Sequence, residues 1–141
     1  MDPSESAANK AEQTGGKKYI TRIYSTNQLE KIPFPTKESF VFVVTGEINY
    51  LDMEGDYTTF HLLDHSKIII IKSMSETMKM LPSQTFFRIH DNCAVNGNQC
   101  KEYFKKEFHL EMENGVVLKV AEKRAVRFIE FFLKIKRRFF K

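Results

Sequence analysis

Groups that could catalyse a reaction are few in this chain. His90 stands directly before Asp91, an arrangement that could act as an acid–base pair. Asp52, Glu54 and Asp56 lie close together, but the pattern around them predicts a turn, where carboxylates are usually solvated. The sequence has no glycine-rich phosphate loop, no Gly-x-Ser-x-Gly elbow and no His-Glu-x-x-His helix. It therefore predicts no catalytic residues and a protein that is not an enzyme.

Cysteine and histidine usage gives no indication of a metal centre. Cys93 and Cys100 are too few for a disulfide framework, and their separation matches no common zinc motif. We expect both thiols to be reduced and packed. The four histidines are scattered along the chain, at His61, His65, His90 and His109. The sequence therefore predicts no metal site and no cofactor.

Positive charge is concentrated at the C-terminal end of the sequence. Residues 121–141 contain eight Lys or Arg and two Glu, a net charge of +6. The other 120 residues hold fourteen basic and sixteen acidic side chains, a net charge of −2. A localised basic field attracts the phosphates of nucleic acids or of anionic lipids. The alternative for such a charge run is an ordinary solvated helix face.

Most of the sequence has the two-residue period of β-strands. The strand-like segments are joined by connections too short for crossover helices, so we expect an antiparallel arrangement. Residues 68–71 are four consecutive isoleucines, which predicts a strand covered on both faces. The predicted strands in the first half of the chain are Phe40–Val44 and residues 50–54, 58–63 and 68–71.

Two segments have a helical period instead. Ser73 and Glu76 fit a capping box, in which each side chain accepts a hydrogen bond from the other residue's backbone N–H. Met74 and Met78 then lie on one face of this short helix, where we expect them to fill the core. An amphipathic C-terminal helix is predicted from about residue 122. Its packed face is predicted to consist of Ala125, Phe128, Ile129, Phe132 and Ile135.

A β-hairpin is predicted around Asn114 and Gly115. Apolar and polar residues alternate over residues 108–113, and the alternation returns on the same face over residues 116–120. The Asn-Gly pair is typical of a two-residue type I′ turn, in which both residues have positive φ.

Aromatic residues are expected to form much of the core. The chain has thirteen Phe and no Trp, and each buried Phe contributes a large apolar area. Alternation over residues 86–90 places Phe87 and Ile89 on one face and Phe86 and Arg88 on the other. We expect Phe87 to be a core residue.

The length of 141 residues is suited to one domain. Residues 1–28 are mainly polar and are predicted to form a flexible tail or linker, although residues 19–24 could form a loosely held strand. Residues 29–141 are predicted to form the domain. There is no N-terminal signal pattern and no apolar run long enough to span a membrane, so we expect a cytoplasmic location.

Several short motifs occur in a fixed order along this domain. The longest, at residues 86–96, reads Phe-Phe-Arg-Ile-His-Asp-Asn-Cys-Ala-Val-Asn and follows the predicted short helix. The others are Ile-Pro-Phe-Pro-Thr at 32–36, Glu-Ile-Asn-Tyr-Leu at 47–51, Glu-Gly-Asp-Tyr-Thr at 54–58 and Glu-Asn-Gly at 113–115. In content and order they resemble the LytTR family, the LytR/AgrA-type DNA-binding domains of bacterial transcription regulators, over residues 29–133. The resemblance implies a mainly β domain: an elongated antiparallel β-sheet fold with one short helix and a C-terminal amphipathic helix.

The resemblance also implies which residues contact duplex DNA. In LytTR domains the contacts come from loops and strand ends, and His90 matches a histidine that positions such a loop. Lys119, Lys123 and Arg124 would contact phosphates, while Asn92 would contact a base edge. Arg88 is an additional basic candidate. The implied DNA-binding residues are Asp56, Tyr57, Thr58, Arg88, Asp91, Asn92, Lys119, Ala121, Glu122, Lys123 and Arg124.

Two of these segments depart from the family pattern. Asp91-Asn92 stands where the family usually has a basic or amide residue followed by Ser, and Ala121-Glu122-Lys123 replaces a typical Ser-Arg-Arg. Two of the expected contact positions, Asp91 and Glu122, are therefore acidic. A carboxylate facing a phosphate is repelled, although it can accept a hydrogen bond from cytosine N4 within a groove.

Three functions therefore remain open. The first is a response-regulator-like bacterial transcription regulator, standing alone or cut from a longer protein. It would bind double-stranded DNA as paired protomers on repeated half-sites and would have no small-molecule substrate. The second is a divergent LytTR module that has lost DNA affinity and serves protein interaction or dimerisation. In the third, the basic, Phe-rich helix lies on a membrane surface.

Overall fold

The computed structural model describes residues 30–140, and side chains are described as far as residue 134. The predicted tail and the predicted strand at residues 19–24 lie outside this range. The described residues form ten strands and two α-helices. These are β1 (Lys31–Pro35), β2 (Phe40–Val44), β3 (Ile48–Glu54), β4 (Tyr57–Leu62), β5 (Lys67–Ile70), α1 (Met74–Met80), β6 (Phe86–His90), β7 (Cys93–Asn96), β8 (Cys100–Phe104), β9 (His109–Met112), β10 (Val117–Lys119) and α2 (Ala125–Phe140).

The strands form three antiparallel sheets, which confirms the predicted mainly β class. The central sheet has five strands in the order β5-β4-β3-β7-β6. A two-stranded sheet, β1-β2, and a three-stranded sheet, β10-β9-β8, accompany it. Every strand pairing is antiparallel, as the short connections require.

The central sheet is packed on both faces. Ala94 and Val95 are adjacent on β7 and point to opposite faces, so each belongs to a different hydrophobic cluster. The first cluster includes Phe34, Leu51, Phe60, Met74 and Phe86. The second includes Ile89, Val95, Leu110, Met112 and Phe128.

Cys93 and Cys100 are free thiols that form no disulfide. Burial raises the pKa of each thiol to about 12.

Strand β6 is packed on both faces as well. Phe87 packs against the second cluster, as predicted, with its ring centroid 5.8 Å from that of Phe128 and 4.9 Å from that of Phe131. It is only partly buried. Phe86, on the opposite face, is 3% exposed and belongs to the first cluster. The alternation was therefore correct, but the more deeply buried residue of the pair is Phe86.

Two burial predictions were wrong. The isoleucine strand is not covered on both faces: β5 is an edge strand, and Ile69 is 56% exposed. On α2, Ile129 is 37% exposed, and the packed face is formed by Ala125, Phe128, Phe131 and Phe132. The side chain of Ile135 lies outside the described residues.

The turn predictions had mixed outcomes. The capping box is confirmed, because the Glu76 N–H donates to Ser73 Oγ at 3.2 Å and the Ser73 N–H donates to Glu76 Oε1 at 3.3 Å. The β9–β10 hairpin is confirmed, but its turn is not a two-residue type I′ turn. Only Gly115 has positive φ, at 94°, and its N–H donates to the Met112 carbonyl at 2.9 Å. Three residues therefore connect Met112 to Val116, the geometry in which glycine follows a type I turn.

Candidate nucleic-acid interface

Three segments that are distant in sequence meet at one end of the central sheet. The β3–β4 and β6–β7 turns are neighbours, because the Met53 N–H donates to the Asn92 carbonyl at 3.0 Å. The segment between β10 and α2 joins them through the Ala121 N–H, which donates to the Ile89 carbonyl at 2.8 Å. Neighbouring strands lie about 5 Å apart, so these segments form one surface. We call it the contact end, residues 54–57, 90–92 and 119–124.

The β3–β4 turn places two of its three predicted DNA contacts on the surface. Glu54 pairs with Tyr57, and Gly55 has a φ of 63°, which lets two residues close the hairpin. Asp56 is exposed and Tyr57 is 51% exposed. Thr58 is fully buried instead, and its hydroxyl donates to the Lys72 carbonyl at 2.8 Å. Thr58 therefore fastens β4 to the segment after β5.

The β6–β7 turn is held by hydrogen bonds to its backbone. The Asn92 N–H donates to His90 Nδ1 at 3.3 Å, which fits the positioning role expected for this histidine. Arg88 Nε donates to the Asp91 carbonyl at 3.1 Å, and Nη1 donates to Ser75 Oγ on α1 at 3.3 Å. Arg88 is therefore engaged in fixing the turn, while the side chains of Asp91 and Asn92 are exposed.

The segment before α2 brings two cations onto the Asp91 carboxylate. Arg124 Nη2 donates to Asp91 Oδ1 at 2.9 Å, and Lys123 Nζ lies 3.7 Å from the same oxygen. The hydrogen bond from Arg124, reinforced by the charge of Lys123, lowers the pKa of Asp91. Lys119 and Glu122 are also exposed, and neither forms an ion pair within the described residues.

The second cluster determines where these cations lie. Ala125 and Phe128 are buried in it, 8% and 1% exposed, at the start of α2. The Phe128 ring centroid is 5.3 Å from that of Tyr103 on β8. A single turn of 3-10 helix, Glu122–Arg124, immediately precedes the docked helix, and the Arg124 N–H donates to the Ala121 carbonyl at 2.9 Å. Helix docking and this turn together hold Lys123 and Arg124 beside the β6–β7 turn.

Comparison with known proteins identifies the family and agrees with the fold. The family model described as the LytTr DNA-binding domain matches residues 38–132. The chain belongs to the LytTR family. A similar solved structure is the LytTr DNA-binding domain of a protein described as a methyl-accepting/DNA response regulator from Bacillus cereus. It is 24% identical with a TM-score of 0.62, and the match covers 72% of this chain and 95% of that one. No curated protein matches the chain significantly.

The contact end of this LytTR domain has interspersed charges. Asp91 is neutralised from within the chain by Arg124 and Lys123. Asp56 and Glu122 are exposed acids that have no such partner among the described residues. The family is one of DNA-binding domains. In this chain, acidic and basic side chains are mixed at the positions where the resemblance implies DNA contacts.

Two neighbours of the contact end were missed by sequence reasoning. Ser75, in the first turn of α1, accepts from Arg88, and the Lys72 carbonyl accepts from Thr58. Lys72 immediately precedes the helix cap at Ser73. Its proximity to the β3–β4 turn follows from the pairing of Thr58 with Ile70, a register that no local motif specifies.

Other chemistry has little support in the described residues. Asp52 Oδ1 lies 3.0 Å from His61 Nε2, and the Tyr50 ring stacks on His61 with centroids 4.2 Å apart. No third ligand joins this pair, since residues 30–140 contain no cluster able to hold a metal ion. No described helix is long and apolar enough to cross a bilayer. The membrane-surface hypothesis loses part of its basis, because Phe128 is buried in the second cluster.

Proposed function

We propose that this LytTR domain binds duplex DNA sequence-specifically through the contact end, as a transcription regulator in the bacterial cytoplasm. The observation that carries the proposal is the convergence of three chain-distant segments, each with exposed polar or charged side chains, on one end of the central sheet. Loops presented side by side can enter successive grooves of a duplex, as members of this family do. Residues 29–141 are the proposed binding unit, and two protomers would occupy repeated half-sites.

Five of the exposed residues at the contact end have a proposed role in DNA binding. Lys119 and Lys123 contact phosphates and set the register of the protein on the duplex. Asn92 lies on a turn whose backbone is already fixed, so its amide is free to read a base edge. Tyr57 and Asp56 extend the surface across the neighbouring turn. Thr58 and Arg88 support these residues from behind and are not proposed as primary DNA contacts.

The proposal is tested by fluorescence-anisotropy titration of a labelled duplex from upstream of the protein's own gene, with a scrambled duplex as reference. Lys123→Ala should weaken both complexes to a similar degree. It should also reduce the slope of log K against log salt by about one, because one phosphate contact is lost. Asn92→Ala should cost roughly 1–3 kcal/mol on the preferred duplex alone.

Lys67→Ala is the matched control. Lys67 is exposed at the start of β5, where it pairs with His61, towards the opposite end of the central sheet. Its removal changes the net charge by the same amount and should leave the salt slope unchanged. If the unaltered protein gives no saturable binding to either duplex at physiological salt, the proposal is wrong, and the divergent interaction module becomes the better account.

A further inference from the structure

The Asp91 carboxylate pairs with Arg124 and Lys123, the two cations that would contact phosphates according to the family resemblance. One oxygen, Oδ1, accepts from Arg124 at 2.9 Å and lies 3.7 Å from Lys123 Nζ. The side chain of Asp91 is 61% exposed, that of Arg124 25% and that of Lys123 70%. A large ligand can therefore reach all three side chains from solvent. A phosphate that approaches Arg124 would meet a guanidinium already engaged by an anion.

This contact is built into the turn that carries it. Arg88 donates to the Asp91 carbonyl, and the Asn92 N–H donates to His90, so the backbone on both sides of the carboxylate is held. Arg124 is positioned independently by the docking of α2 beside Phe128 and Ala125. Two separately anchored segments thus present opposite charges to each other, which reduces the entropy lost on pairing compared with two mobile surface side chains.

We propose that the Asp91 carboxylate competes with DNA phosphates for Lys123 and Arg124. The two cations stay paired with Asp91 until a duplex displaces the carboxylate. This inference rests on the proposed DNA binding. Carboxylate and phosphate are both anionic acceptors for a guanidinium, so they exclude each other at Arg124. Solvent screening keeps the internal pair weak enough to exchange. Its effect is to lower affinity for any duplex whose other contacts do not compensate, and so to suppress non-specific binding.

The test uses a random-sequence duplex and three proteins: the full unaltered chain, Asp91→Asn and Asp64→Asn. Asp64 is the matched control. It is an exposed acid in the β4–β5 turn, its carboxylate accepts hydrogen bonds from nearby Ser66, and its replacement changes the net charge equally. Asp91→Asn should tighten binding about 3- to 10-fold at about 50 mM salt and steepen the salt slope by about one. Asp64→Asn should change affinity less than about 2-fold, because its charge is distant and screened.

A second background separates release of the cations from a general gain of charge. In a chain that already carries Lys123→Ala and Arg124→Ala, the Asp91 carboxylate has lost both cations with which it pairs. Asp91→Asn should then give a clearly smaller gain than in the otherwise unaltered chain, because it relieves only the repulsion between the carboxylate and phosphate. Thermal melts of each variant establish that all are folded. Equal effects of the two Asn variants in the otherwise unaltered chain would overturn the inference, as would a gain from Asp91→Asn that is undiminished without the two cations.

The same data distinguish failure of this inference from failure of the proposed function. If the unaltered chain binds duplex in a manner that depends on Lys123, but Asp91→Asn behaves like Asp64→Asn, only the competitor role is wrong. If no variant binds duplex even at low salt, the proposed function fails and the competitor role fails with it.

Discussion

The two ends of the central sheet each pair an exposed carboxylate, but in different ways. We call residues 45–47, 63–66 and 97–99 the far end. There, Asp64 accepts from the Ser66 N–H at 2.9 Å and from the Ser66 hydroxyl at 2.6 Å, two residues along the chain. At the contact end, Arg124 reaches Asp91 across 33 residues and Arg88 reaches Ser75 across 13. The exposed carboxylate of Asp64 at the far end is thus satisfied within its own turn, whereas the exposed carboxylate of Asp91 at the contact end depends on how α2 docks.

This difference predicts which changes are felt at the proposed DNA surface. A loss of packing in the second cluster should move Lys123 and Arg124, because α2 is held there by Phe128 and Ala125. A loss at the far end should lower stability and leave the contact end intact.

The largest effect is expected from Phe128→Ala. Phe128 is 1% exposed and its ring contacts those of Phe87, Tyr103 and Phe132. Truncation should cost about 3–5 kcal/mol of unfolding free energy in urea melts. DNA affinity of the remaining folded protein should also fall, since the cations before α2 lose their support.

Phe34→Ala provides the comparison for this prediction. Phe34 is fully buried in the first cluster, and its ring meets that of Phe60 edge-on at 4.8 Å. The stability loss should be similar, but DNA affinity of the folded fraction should change little. An equal loss of affinity in both variants would mean that the contact end is not selectively coupled to the second cluster.

A smaller effect is expected from Asn96→Ala at the end of β7, beside the far end. The Asn96 side-chain amide donates to the Ile48 carbonyl at 2.9 Å and its oxygen accepts from the Asn98 N–H at 3.0 Å. Asn96 is fully buried, so its removal leaves both backbone groups without this partner and should cost about 1–3 kcal/mol. Urea melts measure the loss. Unchanged duplex affinity in the folded protein is expected, and a weakened complex would contradict the separation of the two ends.

The smallest effect concerns two exposed carboxylates with lowered pKa values. The pKa of Asp64 is lowered by hydrogen bonds from Ser66, whereas the pKa of Asp91 is lowered by Arg124 and then by Lys123. Salt screens charges but not neutral hydrogen bonds. The pKa of Asp91 should therefore rise towards its ordinary value at high salt, while that of Asp64 stays low.

Carboxyl NMR titrations at two salt concentrations test this difference. Because both pKa values lie below those of the unfolded chain, each group favours folding above its unfolded pKa, and that contribution is lost as the pH falls through the folded value. An Asp91 pKa that does not respond to salt would mean that its pairing with Arg124 and Lys123 is not formed in solution.

Local features of the fold could be read from the sequence. Period-two alternation predicted the strands of the central sheet, and Ser73 with Glu76 predicted the helix cap. The errors arose where tertiary context decides. A run of four isoleucines does not show whether its strand lies at the edge of a sheet or is covered on both faces. The face of α2 that contacts Phe87 depends on how the helix crosses the sheet. The Asn-Gly pair indicated a turn, but only the pairing of its flanking strands fixed the turn length.

The candidate site was predictable in part for the same reason. Motif order placed Asp91, Asn92 and Lys123 in the expected set, and the structure brings their segments together at one end. The pairing of Asp91 with Arg124 was not foreseen, because it requires the β6–β7 turn and the docked start of α2 to be adjacent. Thr58 could not be recognised as buried from its place beside exposed Tyr57.

The most direct measurement follows backbone amide signals of the isotope-labelled protein by NMR during titration with a short duplex at low salt. Binding through the contact end predicts progressive shifts at residues 54–57, 90–92 and 119–124. Signals from residues 63–66 and 97–99 should remain in place. Shifts concentrated at those far-end residues, or no shifts at any residue up to a large excess of duplex, would contradict the assignment of DNA binding to the contact end.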